Sequence, residues 1–339
     1  MSDSPARSGS RPNADVTALA AAVAQGDRTA LARAITLVES RRDEDVDDAQ
    51  ALLRSLLPRT GGAVRVGVTG VPGVGKSTFI EALGLRLIEQ RHRVGVLAVD
   101  PSSRVSGGSI LGDKSRMTDL SRDDRAFIRP SPAGESLGGV ARRTRDSLLL
   151  CEAAGFDVIL IETVGVGQSE TTVADMVDFF LVLMLPGAGD ELQGIKKGIV
   201  ELADLLAINK ADGDNETRAR EAVQEYSAAL RYLAPRSEGW RPQAMAISAK
   251  TGAGLDELWR VISERCEVLR ENGELEQRRS TQRASSMWSV IESELGSAFR
   301  RHPGVIAQLD DVEAALKRGE VTPTEAALGL IRVFQGSST

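Results

Sequence analysis

The sequence predicts an α/β fold built on a doubly wound, mainly parallel β-sheet. Short apolar segments alternate with helical patterns through the middle of the chain, and this alternation is typical of parallel sheets covered by helices on both faces. A glycine-rich loop joins the first apolar segment to the first helical pattern. The predicted strands are Val64–Val68, Val94–Val99, Ala126–Ile128, Val158–Ile161, Phe179–Leu185, Leu205–Ile208 and Gln243–Ile247.

Helical patterns flank this core at both ends of the chain. Between residues 15 and 57, Ala and Leu recur at three- and four-residue steps, with interruptions at Gly26-Asp27 and at 41–44, which predicts two or three short helices. After residue 270 the strand pattern stops. Residues 274–301 form a long, charged stretch without strand signals, and the stretches 310–318 and 323–334 follow it, the last with the residues of a helix start. The expected regions are a disordered tail (1–14), an N-terminal helical region (15–61), the core domain (62–270) and a C-terminal helical arm (271–339).

Composition narrows the class of protein. The chain has 339 residues, of which 42% are hydrophobic but only 4% aromatic, so aliphatic side chains must fill the core. A net charge of −6 argues against a nucleic-acid partner. The longest apolar run, 179–185, is too short to cross a bilayer, and because the first residues are polar we do not expect them to act as a signal peptide. With Cys151 and Cys266 far apart as free thiols, we expect a cytoplasmic protein without a membrane partner.

The glycine-rich loop is the most informative motif. It reads Gly70-Val71-Pro72-Gly73-Val74-Gly75-Lys76-Ser77, the G-x-x-x-x-G-K-[ST] phosphate-binding pattern, placed between a strand and a helix as that motif requires. Its backbone N–H groups and the helix N-terminus attract phosphate, Lys76 brings a positive charge to the β- and γ-phosphates, and Ser77 can bind Mg²⁺. The predicted phosphate-binding residues are Gly73, Val74, Gly75, Lys76, Ser77 and Thr78.

Two further motifs indicate that the nucleotide is GTP or GDP. Asn209-Lys210-Ala211-Asp212 follows the sixth predicted strand and reads N-K-x-D. The Asp212 carboxylate can accept two hydrogen bonds from guanine, whereas adenine has no donors in that arrangement. Ser248-Ala249-Lys250 follows the next strand, where a backbone N–H can reach the guanine oxygen. In this order along the chain, the motifs favour GTP over ATP.

Carboxylates at strand ends are candidates for Mg²⁺ binding and for sensing the γ-phosphate. Glu162-Thr163-Val164-Gly165 stands where GTPases carry D-x-x-G, so Glu162 can hold Mg²⁺ or position water, and the Gly165 N–H can bond the γ-phosphate. Asp100 and Asp113 are further candidate ligands beside Ser77 and Glu162. Each acid can instead be a turn or helix-capping residue, and both interpretations stay open.

Taken together, these segments resemble the MeaB/ArgK/MMAA family of P-loop GTPases, the G-protein chaperones of adenosylcobalamin-dependent methylmalonyl-CoA mutase. The resemblance spans roughly residues 15 to 335, and its specific parts are Glu162–Glu170 and Asp190–Gly198. It implies a P-loop GTPase core, a homodimer formed through the C-terminal arm, and an acyl-CoA mutase as partner. It also implies that Gly187–Gly198 is a third switch coupling nucleotide state to the mutase, with candidate coupling residues Asp190, Gln193 and Lys196.

One departure and several alternatives accompany the resemblance. Where an Arg-Thr pair is expected in the first switch loop, this chain has Val105-Ser106, with Arg104 one place earlier. The function implied is a slow GTPase that gates adenosylcobalamin loading and protects methylmalonyl-CoA mutase, although isobutyryl-CoA mutase also fits. A nickel- or zinc-insertion GTPase needs clustered His or Cys, which the sequence lacks. A transport-system ATPase or kinase conflicts with N-K-x-D, and a dimeric scaffold with structural nucleotide is a further alternative.

Overall fold

The computed structural model describes residues 14–40, 42–99, 117–130, 137–163, 169–187, 197–232 and 240–336. Apart from residue 14, the tail predicted at 1–14 lies outside these residues. Each predicted strand is found, with ends that differ by two residues at most. The strands are β1 (Val64–Gly70), β2 (Val94–Val99), β3 (Ala126–Arg129), β4 (Val158–Thr163), β5 (Phe179–Met184), β6 (Leu205–Ile208) and β7 (Gln243–Ala246).

These strands form one seven-stranded sheet in the order β3-β2-β4-β1-β5-β6-β7, and every pairing is parallel. The predicted doubly wound α/β fold is therefore confirmed. β1 lies at the centre, with β4 on one side and β5 on the other. Val68 of β1 is in register with Glu162 of β4 and with Leu181 of β5. The carboxyl ends of these strands therefore meet at one edge, where open α/β sheets build their binding sites.

Helices connect the strands, and further helices precede the first strand and follow the last strand along the chain. The helices are α1 (Ala14–Ala24), α2 (Arg28–Val38), α3 (Asp43–Leu56), α4 (Lys76–Glu89), α5 (Thr118–Arg122), α6 (Leu137–Ala153), α7 (Ser169–Ala174), α8 (Lys197–Leu202), α9 (Glu216–Leu230), α10 (Leu255–Glu271), α11 (Glu274–Arg301), α12 (Pro303–Arg318) and α13 (Pro323–Phe334). The helix expected at 310–318 begins earlier than predicted, at Pro303. Proline suits the first helical position because its missing N–H would have no partner there. None of the described helices is long and apolar enough to cross a membrane.

Apolar side chains cover the sheet on both faces. Alternate residues of β4 point to opposite faces, so Ile159 and Ile161 pack with α1–α3, α6 and α7, while Val158 and Leu160 pack with α4 and α10. All six residues of β4 are buried, as expected for a central parallel strand. Because both faces are occupied by helices, the carboxyl edge is where the loops following the strands are free to form a site.

The chain divides into two compact units, at residues 282 and 283. In the first unit, the opening turns of α11 are held to the base of the sheet by a buried ion pair. Arg279 Nη2 lies 2.6 Å from Asp178 Oδ2, Arg279 Nε donates to Asp178 Oδ1 at 2.9 Å, and Arg279 Nη2 also donates to the carbonyl oxygen of Ala63 at 2.7 Å. Both side chains are buried, so the charges depend on each other for compensation.

The second unit contains the rest of α11 together with α12 and α13. In this unit the Phe299 and Phe334 rings pack edge to face with centroids 5.5 Å apart, and Val305, Ala326 and Leu330 are buried. Many large apolar side chains of this unit remain exposed, with Trp288 at 60% and Met287 at 52% of full exposure. The other exposed apolar side chains are Leu295, Ile306, Leu309, Leu328 and Ile331.

Candidate nucleotide-binding site

The loop between β1 and α4 has the backbone of an anion cradle. Gly73 and Gly75 have φ of 79° and 96°, left-handed values that glycine adopts without strain. A Cβ on Gly75 would lie 2.9 Å from Asn209 Nδ2, and one on Gly70 would lie 2.4 Å from the carbonyl oxygen of Leu183. Val74 is fully buried and anchors the loop to the core, so the N–H groups around it are fixed in place.

Lys76 and Ser77 begin α4 with their polar groups at the same loop. The Lys76 ammonium donates to the carbonyl of Gly70 at 2.8 Å. Burial lowers its pKa, and the opposing charges of Glu162 and Glu170 offset part of that shift. The Ser77 hydroxyl donates to Glu162 Oε1 at 3.3 Å. A cation, a hydroxyl and a buried carboxylate therefore meet where the phosphate end of a nucleotide would lie.

The second half of the site is built from the loops that follow β6 and β7. The Asn209 side chain joins them to the phosphate loop, because its Nδ2 donates to the carbonyl of Val74 at 2.8 Å and its Oδ1 accepts from the N–H of Ala249 at 3.0 Å. Lys210 has a positive φ of 60° and donates through Nζ to the carbonyl of Gly73 at 2.8 Å. The N-K-x-D segment is thus tied directly to the P-loop.

Asp212 and Ser248 face each other across this half of the site. The Ser248 hydroxyl donates to Asp212 Oδ2 at 2.6 Å and accepts from the N–H of Thr251 at 3.1 Å. This bond orients the carboxylate, so Asp212 can present its remaining acceptor positions to a base. Lys250 follows at an exposed position in the same turn.

The structure brings most of the predicted site residues to one edge of the sheet. The P-loop residues Gly73–Thr78 lie beside Glu162, Asn209, Lys210, Asp212, Ser248, Ala249 and Lys250. The remaining candidates lie outside the described residues, and they are Asp100, Asp113, Gly165, Asp190, Gln193 and Lys196. Within the described ranges, no three His, Cys, Asp or Glu side chains cluster closely enough to hold a metal by themselves.

Two features of the site were not predicted from the sequence. Glu170, on the first turn of α7, is 1% exposed and acts on the charge of Lys76. Thr69 and Thr163 form a buried hydroxyl–hydroxyl bond of 2.8 Å just below the loops. A threonine at or next to the end of each of two apolar strands was the available signal, but it has this meaning only because β1 and β4 are neighbours in the sheet.

Comparison with known proteins agrees with this geometry. The sequence model of the family described as "Methylmalonyl Co-A mutase-associated GTPase MeaB" matches residues 31–303. The chain belongs to the MeaB family. A protein of Caulobacter vibrioides named "Putative GTPase" is 55% identical over 323 residues, which cover 95% of this chain and 99% of that protein. The activity common to the family is GTP hydrolysis, and this chain is a GTPase.

Two further relatives show how widely this MeaB-family architecture occurs. The mouse protein named "Methylmalonic aciduria type A homolog, mitochondrial" is 49% identical over 321 residues, covering 92% of this chain and 77% of that protein. A crystal structure described as an LAO/AO transport system kinase superposes with a TM-score of 0.77 at 38% identity, and the match covers 96% of this chain and 100% of that one. The fold is thus shared over nearly the whole chain.

Proposed function

We propose that this MeaB-family GTPase is a G-protein chaperone that gates the loading of adenosylcobalamin into methylmalonyl-CoA mutase and protects that enzyme. The observation that carries the proposal is the Asn209 side chain, which joins a phosphate loop to an N-K-x-D segment in one guanine-nucleotide site. The family description names the mutase, and the mouse relative is named for methylmalonic aciduria. A protein that gates cofactor loading needs a site that distinguishes GTP from GDP.

Guanine recognition rests on Asp212. Ser248 occupies one carboxylate oxygen with a 2.6 Å hydrogen bond, and the rest of the carboxylate is available to guanine N1–H and the exocyclic amine. An adenine at the same place would leave a charged acceptor without donors, which disfavours ATP. We propose GTP and GDP as the nucleotides, and this argues against a transport-system ATPase or kinase.

Magnesium fits the oxygen donors at the phosphate end. The Ser77 hydroxyl and the Glu162 carboxylate lie 3.3 Å apart, and both are hard oxygen ligands of the kind Mg²⁺ prefers. We propose Ser77 and Glu162 as residues that hold the ion, directly or through water, with Asp100 and Asp113 as further candidates. When bound, Mg²⁺ neutralises charge on the β- and γ-phosphates.

In the proposed reaction, a water molecule attacks the γ-phosphorus of GTP. The bond between that phosphorus and the β–γ bridging oxygen breaks, and GDP, inorganic phosphate and a proton are released. Lys76 and the P-loop N–H groups stabilise negative charge on the phosphates. Glu162 is proposed to position the attacking water at the γ-phosphate. Gly165 is proposed to bond the γ-phosphate through its N–H, so that the loop following β4 responds to hydrolysis.

Coupling to the mutase is proposed for the segment that follows β5. This strand lies next to β1 in the sheet, and its carboxyl end is at the nucleotide edge. We propose that Gly187–Gly198 changes conformation with the nucleotide, and that Asp190, Gln193 and Lys196 transmit this change to the mutase. Glycines make two conformations accessible at low cost, and Lys196 can exchange a phosphate contact for a contact with the partner.

Homodimerisation is proposed for the C-terminal arm. The second unit, which contains most of this arm, exposes the consecutive residues Met287 and Trp288 on α11. It also leaves Leu328 and Ile331 exposed on α13. This is more apolar surface than a solvated helical unit of this size needs, and burial against a second copy would remove it from water. Isologous packing of two arms is the simplest arrangement that covers the same residues on both chains.

The described residues give little support to a nickel- or zinc-insertion function. His92 is bonded to Asp157 through Nδ1 at 2.8 Å, and its ring packs on Trp259. Cys151 and Cys266 are buried, and burial raises the pKa of each thiol to about 12, so neither is a ready metal ligand. Inert thiols suit a reducing compartment, and we propose the cytoplasm as the location.

A capture experiment tests the proposed function. Purified protein is incubated with methylmalonyl-CoA mutase and, separately, with isobutyryl-CoA mutase, in the presence of GDP or of a non-hydrolysable GTP analogue. We expect a complex with methylmalonyl-CoA mutase whose yield depends on the nucleotide. Equal recovery of both mutases with every nucleotide, or of neither, would contradict the proposal.

A further inference from the structure

The buried bond between Thr69 and Thr163 lies directly beneath the phosphate end of the site. β1 and β4 are neighbours, and the register that sets Val68 beside Glu162 brings the next residues, Thr69 and Thr163, side by side. The Thr163 hydroxyl donates to Thr69 Oγ1 at 2.8 Å. Both side chains are buried, at 2% and 0% exposure.

Each threonine adjoins a residue that contacts the site. Thr69 precedes Gly70, whose carbonyl accepts a hydrogen bond from Lys76, and Thr163 follows Glu162, whose carboxylate accepts from Ser77. Because side chains alternate along a strand, Thr163 points away from the face that carries Glu162. The hydroxyl pair is buried on the opposite face of the sheet, so an effect on hydrolysis would act through its neighbours.

Packing alone does not require hydroxyl groups at this place. In the same row across the sheet, Thr163 is in register with Val99 of β2 and Thr69 with Val182 of β5. Valine matches threonine in size and branching, so four valines would fill this row without burying a polar group in its apolar surroundings. What two threonines add is a directional bond between stiff, β-branched side chains, which fixes the spacing of the two strand ends.

We propose that Thr69 and Thr163 are positioning residues for GTP hydrolysis. Their bond holds the end of β4 at a fixed distance from the start of the P-loop, and thereby keeps Glu162 aligned with Ser77 and Lys76. The inference rests on the GTPase activity of the chain and does not depend on the mutase. Turnover is therefore measured without any partner, and nucleotide binding is measured separately.

The test compares Thr163→Val, Thr69→Val, the double valine variant and Thr163→Ser. Each single valine should lower kcat for GTP by about fivefold or more, which is the effect of losing one hydrogen bond, and change KM by less than about twofold. Thr163→Ser keeps the hydroxyl and should recover most of kcat. The double variant leaves no hydroxyl unpaired, so its melting temperature should return towards the wild-type value while kcat stays low.

Thr144→Val is the matched control, because the Thr144 hydroxyl is also buried and donates to the carbonyl of Val140 within α6. It should lower the melting temperature and leave kcat unchanged. A double valine variant that is as stable as wild type and turns over GTP at the wild-type rate would overturn the inference. So would a loss of kcat that follows melting temperature equally in all variants, including Thr144→Val.

Discussion

Replacing Asn209 by alanine tests the geometry that joins the two halves of the nucleotide site. The Asn209 side chain is 1% exposed and makes two hydrogen bonds, to the carbonyl of Val74 at 2.8 Å and from the N–H of Ala249 at 3.0 Å. Alanine removes both bonds at once. Because the surroundings are buried, water cannot readily replace the lost amide, and two backbone groups are left without partners.

The expected loss follows from these two groups. A net hydrogen bond contributes about 1 kcal/mol, and an orphaned buried backbone group costs about 1–3 kcal/mol. With two such groups, we therefore expect the free energy of unfolding to fall by about 2–6 kcal/mol. Since Val74 is part of the phosphate loop, the loop also loses one of its two attachments to the guanine side and keeps only the bond from Lys210 to the Gly73 carbonyl. Affinity for GDP should fall about tenfold or more, the equivalent of 1.4 kcal/mol.

The assay pairs chemical denaturation with calorimetric titration of GDP. Asn272→Ala is the control, because Asn272 is exposed and its Oδ1 accepts a 3.0 Å bond from the N–H of Glu274, away from the site. The control should cost about 1 kcal/mol at most and leave GDP affinity unchanged. If Asn209→Ala unfolds like wild type and binds GDP with unaltered affinity, the bridge does not organise the site.

Asp212, the C-terminal arm and Asp146 each allow a further test. Asp212→Asn places an amide donor before the guanine amine, so competition binding should show GTP affinity reduced about a hundredfold and xanthosine triphosphate newly accepted; unchanged guanine preference would refute the role of Asp212. A chain ending at residue 282 lacks the second unit and should sediment as a monomer, and it should still bind GTP because it keeps the Arg279–Asp178 pair. A chain ending at residue 273 loses Arg279 and should be destabilised by about 3–5 kcal/mol, because Asp178 is left buried without its partner. A dimeric 1–282 chain would contradict the proposed role of the arm. Burial raises the pKa of Asp146 to about 6, so between about pH 4 and 6 the folded protein retains a proton that the unfolded chain has released. The free energy of unfolding of the wild-type protein should therefore fall as the pH rises through this window, and more steeply than that of Asp146→Asn. Denaturation at several pH values measures this difference.

Much of the fold was readable because its signals are local. Runs such as Phe179–Leu185 are apolar on both faces, which only a covered parallel strand requires, and the structure ends that strand one residue earlier. The stretch 274–301, which the sequence marked as charged and strand-free within a helical arm, is a single helix. The start of α12 at Pro303 was missed, although Pro at a first helical position was the available signal.

The cross-links within the site could not be predicted in this way. Asn209 bonds to Val74, 135 positions earlier in the chain, and Thr163 bonds to Thr69 across the β1–β4 pairing. Both depend on strand order, and motif spacing along the chain carries no information about which strands are neighbours. The motifs therefore predicted which residues take part, while the contacts that hold them in place required the three-dimensional arrangement.

The most direct test of the proposed function is GTP turnover with and without methylmalonyl-CoA mutase. Wild-type protein should turn over slowly alone and about tenfold or more faster with the mutase, because a partner can complete the site. Lys196→Ala should keep basal turnover and lose most of the stimulation, and Lys76→Ala, the control without productive phosphate binding, should be inactive in both conditions. Wild-type turnover that is the same with and without the mutase would contradict the account.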